Sequence, residues 1–199
     1  MSLQERVGTS YKTIMEMLAD RQILTDEEMN VLKGFSSNEL VAFASTSRQI
    51  FNLDIGDKVR IIYYLNKFKT VDFKPFVEGG DFKLYIVVVA EKLTTNNMKT
   101  ITEFEKNSEV PLVMQFFELR ELQFNITKHV LVPKHEVIAD EETINALVEK
   151  YNIRSRIHFP LILKSDPVAK YYGIKSGHLV KITRPSPSSG EYITYRCCV

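Results

Sequence analysis

At 199 residues, with 44% hydrophobic and 26% charged side chains, the chain has the make-up of an ordinary globular protein and the length for two small cores. A formal net charge of +1 excludes a strongly basic nucleic-acid binder, since phosphate neutralisation needs clustered Lys and Arg, so any DNA contact has to be local. The longest apolar run, Leu84 to Ala90, is far short of the about 20 residues of a membrane helix, and Met1 to Arg6 lacks the apolar core of a signal peptide, so a soluble intracellular chain without membrane contact is expected.

Val7, Tyr11, Ile14, Met15 and Leu18 recur at helical spacing and predict an amphipathic first helix, with Arg6, Lys12, Glu16 and Asp20 mostly off the apolar stripe. Thr25-Asp-Glu-Glu28 is a capping box that opens a second helix, stopped by Gly34, and Ser36 with Glu39 repeats the signal for a third. The middle of the chain is strand-like, over Lys58 to Leu65 and Phe82 to Ala90. Val87-Val-Val89 is too uniformly apolar for a sheet with one wet face, so a central strand with parallel neighbours is expected there, entered by a turn at Gly79-Gly80. Thr94 is the N-cap of the next helix, whose stripe is Met98, Ile101 and Phe104, and Leu112 to Phe117 and Leu122 to Ile126 supply further strands. This alternation of strand and helix reads as α/β.

From His129 the texture changes, and a domain boundary is expected between residues 127 and 128. An extended approach leads to Asp140, the N-cap of a helix with Ile144, Leu147, Val148 and Tyr151 on one face. Asp166 caps a shorter helix with Pro167 at its first position, Val168, Tyr171 and Tyr172 on one side, and Gly173 as the left-handed residue that lets Ile174 fold back. After a tight turn at Ser176-Gly177, Leu179 to Arg184 alternates, with Val180 and Ile182 inward and Lys181 and Thr183 outward. Pro185 to Gly190 reads as loop throughout, and Tyr192 to Cys197 alternates again to close a hairpin. Val168, Tyr171, Val180 and Ile182 are the expected inner core of this second unit.

Candidate chemistry is sparse. Asp72-Phe-Lys74 and Asp81-Phe-Lys83 share the acid-x-Lys spacing with which a strand presents a metal-binding carboxylate and a lysine on one side, as in metal-dependent nucleases. Such three-residue patterns arise often by chance in a charged chain, and solvated strand charges are the preferred reading. A zinc site built from His129, His135, Cys197 and Cys198 is disfavoured, because the histidines flank Pro133 in an extended segment and vicinal cysteines chelate a tetrahedral ion poorly. The two cysteines instead read as small side chains at the end of a strand, on a frayed C-terminus. No nucleophile elbow, phosphate loop or dinucleotide fingerprint occurs, so no catalytic residue, metal, cofactor or small-molecule substrate is expected. Lys164, Lys170, Lys175, Lys181 and Arg184 crowd the last third, where they would serve nucleic acid only if they shared one surface.

Five segments of that last third, His129-Val-Leu-Val-Pro-Lys-His135, Asp166-Pro-Val-Ala-Lys-Tyr171, Gly173-Ile-Lys-Ser-Gly177, Val180-Lys-Ile-Thr-Arg-Pro-Ser186 and Gly190-Glu-Tyr-Ile-Thr-Tyr-Arg196, together resemble the fifth-largest subunit common to the eukaryotic nuclear RNA polymerases, and its small archaeal counterpart. Fainter likenesses lie at Lys12-Thr-Ile-Met15, Leu24 to Glu28, Ile86-Val-Val88 and Asn125 to His129. The resemblance implies an α/β N-terminal jaw module, endonuclease-like, with a mixed sheet and flanking helices over residues 1–127, and a small α+β assembly module over 128–199. It also implies a nuclear, non-catalytic subunit that docks on the largest polymerase subunit, meets other polymerase subunits, and lies beside downstream duplex DNA. The DNA-proximal loop would be Lys92, Thr94, Thr95, Asn96 and Asn97, with Thr95 where the family often has proline. Arg184, Tyr192, Thr194 and Arg196 are the candidate docking rim.

Overall fold

The computed structural model of the chain describes residues 2–25, 28, 50–69, 75, 82–107 and 113–199. The bodies of the helices expected after Thr25 and Ser36, the Gly79-Gly80 turn, and Asp72, Lys74 and Asp81 lie outside the described residues. The Thr25 capping box itself is formed, the Glu28 carboxylate accepting from the Thr25 N–H at 2.8 Å and the Glu28 N–H donating to the Thr25 hydroxyl at 3.3 Å. The chain divides into two compact units, Met1–Phe124 and Asn125–Val199.

The first unit opens with helix α1, Leu3–Asp20, started by a second capping box in which Ser2 accepts from the Glu5 N–H and Glu5 accepts from the Ser2 N–H. Its predicted apolar stripe, Val7, Tyr11, Ile14, Met15 and Leu18, is buried, and Met17, not foreseen in it, is fully enclosed as well. Strands β1 (Ile50–Ile55), β2 (Val59–Tyr64), β3 (Leu84–Val89) and β4 (Val113–Glu118) form a sheet in that order, β1 antiparallel to β2 and the remaining pairs parallel. Every residue of β3 is buried, so the Val-rich run is the covered central strand that its composition demands. Helix α2, Thr95–Asn107, links β3 to β4 and covers one face, where Ile101 joins Ile62, Tyr64, Tyr85, Val87, Val89 and Met114. On the other face the Tyr63 hydroxyl meets Ser10 of α1 at 3.0 Å.

Two expectations for this unit need correction. Strand β1 was not foreseen, because Asn52 and Asp54 are disfavoured strand residues. They are accommodated by a cross-strand pair, Arg60 standing directly opposite Asp54 and binding it at 2.7 and 2.8 Å, while Asn52 donates to Asp54. Leu122 to Ile126, expected as a strand, is a turn leading into a short 3-10 helix, Ile126–Lys128. The Asn125 side chain accepts from both the N–H and the hydroxyl of Thr127, and this local capping wins over a sheet ladder.

The second unit has a sheet of β5 (Lys134–Ile138), β6 (Leu161–Ile162), β7 (Leu179–Ser186) and β8 (Gly190–Cys198), in the order β5-β7-β8-β6. Helix α3, Glu141–Lys150, is capped by Asp140, which accepts from the Thr143 N–H at 2.8 Å. Helix α4, Pro167–Tyr172, is capped by Asp166 and ends at Gly173 with φ 63°, after which the Ile174 N–H returns to the Ala169 carbonyl. The sheet is covered on both faces near its closed end. Val180, Ile182 and Cys198 pack with Ala169 and Ile174, whereas Leu179 and Cys197 pack with Ile144, Leu147 and Phe159. Val168 and Tyr171 are buried as expected, and the Tyr171 hydroxyl accepts from the buried Asn125 amide at 2.9 Å.

Here too the sequence reading is corrected. The segment from Pro185 to Gly190 is not all loop, since Pro185 pairs with Glu191 and Ser186 with Gly190 in the β7–β8 ladder. β5 stops where Lys134 meets Thr183, so β7 has one open side at Pro185 and a missing N–H is tolerated there. The C-terminus is not frayed. Both cysteines are buried, and Val199 exchanges backbone bonds with Ile162 and Lys164.

Candidate functional site

Two surfaces carry the residues singled out by sequence. The first lies at the carboxyl end of β3, where the buried strand emerges and turns into α2, the place at which open α/β sheets commonly bind their ligands. Lys92, Thr94, Thr95 and Asn96 are exposed there and Asn97 is half-buried, while Leu93 packs against the core and anchors the loop. Thr94 is the cap, its hydroxyl accepting from the Asn97 N–H at 3.3 Å and its carbonyl from the Met98 N–H. The N–H groups of Thr95 and Asn96 precede the first intrahelical bond and face the helix entrance. Small polar side chains beside Lys92 are chemistry suited to a phosphate contact without high net charge. Met98, expected in the apolar stripe of α2, is instead exposed beside this loop, and of the rest of that stripe Ile101 is buried.

The second surface is the open end of the β7–β8 hairpin. Arg184 stands directly opposite Tyr192, Ile182 opposite Thr194 and Val180 opposite Arg196, so all four rim candidates lie on one face. Arg184 and Tyr192 are exposed at the open end; Thr194 and Arg196 are half-buried nearer the core, Arg196 donating to the Leu161 carbonyl at 3.1 Å. His135, opposite Ile182 on β5, joins the same face. Burial holds its imidazole below the ordinary range, against an opposing bond to the Pro133 carbonyl, with Arg184 and Arg196 pushing the same way as burial and Asp166 against it. Lys181 projects from the opposite face, where it and Lys134 grip Glu136 and hold its carboxyl down at about 2. Strand alternation thus separates Lys181 from Arg184, and these two cations do not build one basic surface.

Sequence reasoning missed the most exposed apolar residues of this unit. Val130 and Leu131 are 97% and 84% exposed, and Leu163, Ile157 and Leu161 are also largely open. The available signal was the absence of any periodic partner for Val130 and Leu131, an apolar pair held between His129 and Pro133 in a turn. Where exposed apolar side chains form one contiguous patch, they mark a surface that binds other proteins.

Among the described residues no group of three or more His, Cys, Asp or Glu side chains could hold a metal ion. Lys83 is exposed just ahead of β3, the other members of the two acid-x-Lys patterns being Asp72, Lys74 and Asp81, outside the described residues. Cys197 and Cys198 point to opposite faces of the sheet, so they do not converge on one ion, and burial raises both thiol pKa values. His129 accepts the Leu131 N–H and His135 bonds to the Pro133 carbonyl, each locally engaged. No described helix is long and apolar enough to cross a membrane.

Comparison with known proteins gives these surfaces a family context. Residues 124–198, almost the whole second unit, match the family model described as RNA polymerase Rpb5, C-terminal domain. The chain is 33% identical over 194 residues to the Dictyostelium discoideum DNA-directed RNA polymerases I, II, and III subunit rpabc1, covering 94% of each chain. It is 27% identical over 200 residues to the Arabidopsis thaliana DNA-directed RNA polymerases IV and V subunit 5B, covering 94% of this chain and 86% of that one. Against the Caenorhabditis elegans RPABC1 subunit the identity is 38% over 114 residues, 57% of this chain and 51% of the relative. Identity of 33% over 94% of both chains, together with the C-terminal domain matched at residues 124–198, makes this chain a member of the RNA polymerase Rpb5 family.

Proposed function

We propose that the chain is a non-catalytic structural subunit of a multisubunit DNA-directed RNA polymerase, working in transcription in the nucleus. Residues 128–199 act as the assembly domain that docks on the largest subunit, and residues 1–127 as an endonuclease-like jaw domain beside downstream duplex DNA. The observation that carries this reading is the 33% identity over 94% of both chains to a subunit named for polymerases I, II and III. The exposed apolar side chains Val130, Leu131 and Leu163 support a role in assembly, because large apolar side chains stay open where a partner covers them. A stable interface of the usual kind buries about 1,600 Å² in total, with the apolar centre supplying most of the affinity. The rim of Arg184, Tyr192, Thr194 and Arg196 then contributes orientation more than energy.

The loop of Lys92, Thr94, Thr95, Asn96 and Asn97 is the DNA-proximal element. Its net positive charge is small, so it positions the duplex by a few phosphate contacts and supplies little free affinity of its own. An affinity tag on the chain should retain the large polymerase subunits through a high-salt wash in stoichiometric amount; recovery of mostly free chain would refute the assignment. Replacing Thr94, Asn96 and Asn97 by Ala should lower crosslinking to downstream DNA while leaving assembly intact, and unchanged crosslinking would remove the loop from the DNA path.

A further inference from the structure

Ser186-Pro187, at the tip of the β7–β8 hairpin, is the one Ser-Pro or Thr-Pro dipeptide in the chain and has no part in the interface reading. A residue that precedes proline is driven out of the helical region into extended backbone, the form a kinase cleft accepts. Ser186 forms the last rung of the hairpin, opposite Gly190. Beyond Thr183 the strand has a neighbour on one side only, and neither Pro185 nor Pro187 carries an N–H. Few ladder bonds therefore hold the tip, which can be drawn away from β8 by a small local opening. Residues 187–191 are all exposed, and the Ser186 hydroxyl meets that of Ser188 at 3.2 Å.

Strand alternation puts Ser186 on the same face as Arg184, about 7 Å further along the strand. Arg184 is exposed and forms no ion pair among the described residues. Glu191, the carboxylate nearest in the hairpin, pairs with Pro185 and lies on the other face, so nothing acidic competes from the opposite strand at that position. We propose that Ser186 is a phosphoacceptor for an ATP-dependent, proline-directed protein kinase, and that Arg184 holds the phosphate once it is attached. The Ser186 oxygen attacks the γ-phosphorus of ATP and the bond from that phosphorus to the bridging oxygen breaks. ADP leaves, and the hydroxyl proton passes to the kinase's base. The product carries a charge of about −1.5 to −2, which the Arg184 guanidinium meets with charge-assisted hydrogen bonds. If the Arg184 face docks on a polymerase partner, which rests on the reading above, the modification reverses the sign of the charge at the exposed end of the rim.

The test uses the full chain, a purified cyclin-dependent kinase and Mg-ATP, and needs no polymerase, so its outcome is separate from that of the docking experiment. Intact mass and peptide mapping should show one phosphoryl group, at Ser186, and Ser186→Ala should take up none. A phosphorus NMR titration of the phosphorylated chain should then place the second ionisation of the phosphate at lower pH than in the phosphorylated Arg184→Ala variant. No incorporation, incorporation at Ser188 or Ser189 in place of Ser186, or an ionisation that Arg184→Ala leaves unmoved overturns the proposal.

Discussion

Removing the Ser10 hydroxyl and removing the Tyr63 hydroxyl should destabilise the first unit unequally. The two oxygens are 3.0 Å apart in a fully buried contact between α1 and β2. Ser10 gives its single proton to the Val7 carbonyl at 2.7 Å, so Tyr63 is the donor and Ser10 the acceptor in the shared bond. Burial keeps the Tyr63 phenol protonated well above the ordinary tyrosine range, and the donor is present at any working pH. In Tyr63→Phe the Ser10 proton keeps its partner and only the net value of one hydrogen bond, about 1 kcal/mol, is lost. In Ser10→Ala the phenolic O–H is left buried with no acceptor, a penalty of about 1–3 kcal/mol, only partly offset by the better helix propensity of Ala. The double variant should be less destabilised than the sum of the two, because the orphaned phenol is gone. Amide hydrogen exchange of peptides covering β2 and β3 in the full chain reads this unit by itself, at about tenfold in rate for each ~1.4 kcal/mol. Equal effects of the two single variants, or strict additivity in the double, would refute the donor assignment and the reasoning built on it.

Gly173→Ala should destabilise the end of α4 by about 1–2 kcal/mol, because an L-residue with a Cβ is strained at the observed φ of 63°; Gly173→Asn should recover part of the loss, and protection of α4 amides is the readout. His135 makes a prediction with a defined sign. Its folded pKa is lowered by burial, so the unfolded chain binds the proton more readily, and stability should be full above about pH 6.5 and fall as the pH drops below it. A His135→Asn variant should flatten that slope in urea melts between pH 5 and 7, and an unchanged slope would exclude His135 as its source. Glu136, held at about 2 by Lys134 and Lys181, acts in a separate and lower window, its contribution present above the ordinary Glu range and lost as the pH falls through about 2. In Glu136→Gln the acid limb of unfolding should shift while the limb near neutrality stays in place.

At five positions one short-range interaction decides the backbone and the chain reads directly. Asp140, Asp166, Pro167, Gly173 and Thr94 each act on a few adjacent residues, and each occupies the capping or terminating position that its chemistry dictates. The uniform burial of β3 follows equally from Val87-Val-Val89, since no one-sided sheet can hold such a run. Readings failed at Leu122 to Ile126, where the Asn125 capping overrode an apolar pattern, and where the pairing of strands compensated a local preference. Asp54 stands in a strand because Arg60 meets it across the ladder, and Pro185 is tolerated in β7 because β5 ends short of it. The assignments for the candidate rim were half legible. Alternation puts Arg184, Tyr192, Thr194 and Arg196 on the face of the buried Val180 and Ile182, and how exposed each one is depends on how far the covering elements reach along the sheet.

The linear order of residues was sufficient to set the α/β character of the first unit, the helix boundaries marked by caps, and the family likeness carried by five short segments in register. Those are properties of neighbours along the chain, where one or two hydrogen bonds or a single φ angle settle the outcome. Only the folded chain decided which cations share a face, that Cys197 and Cys198 belong to opposite layers of the core, and that Val130 and Leu131 are left exposed. Such facts depend on strand register and on which surface a helix covers. Both are fixed by contacts between residues far apart in sequence, and a slip of one residue would exchange every inside for an outside.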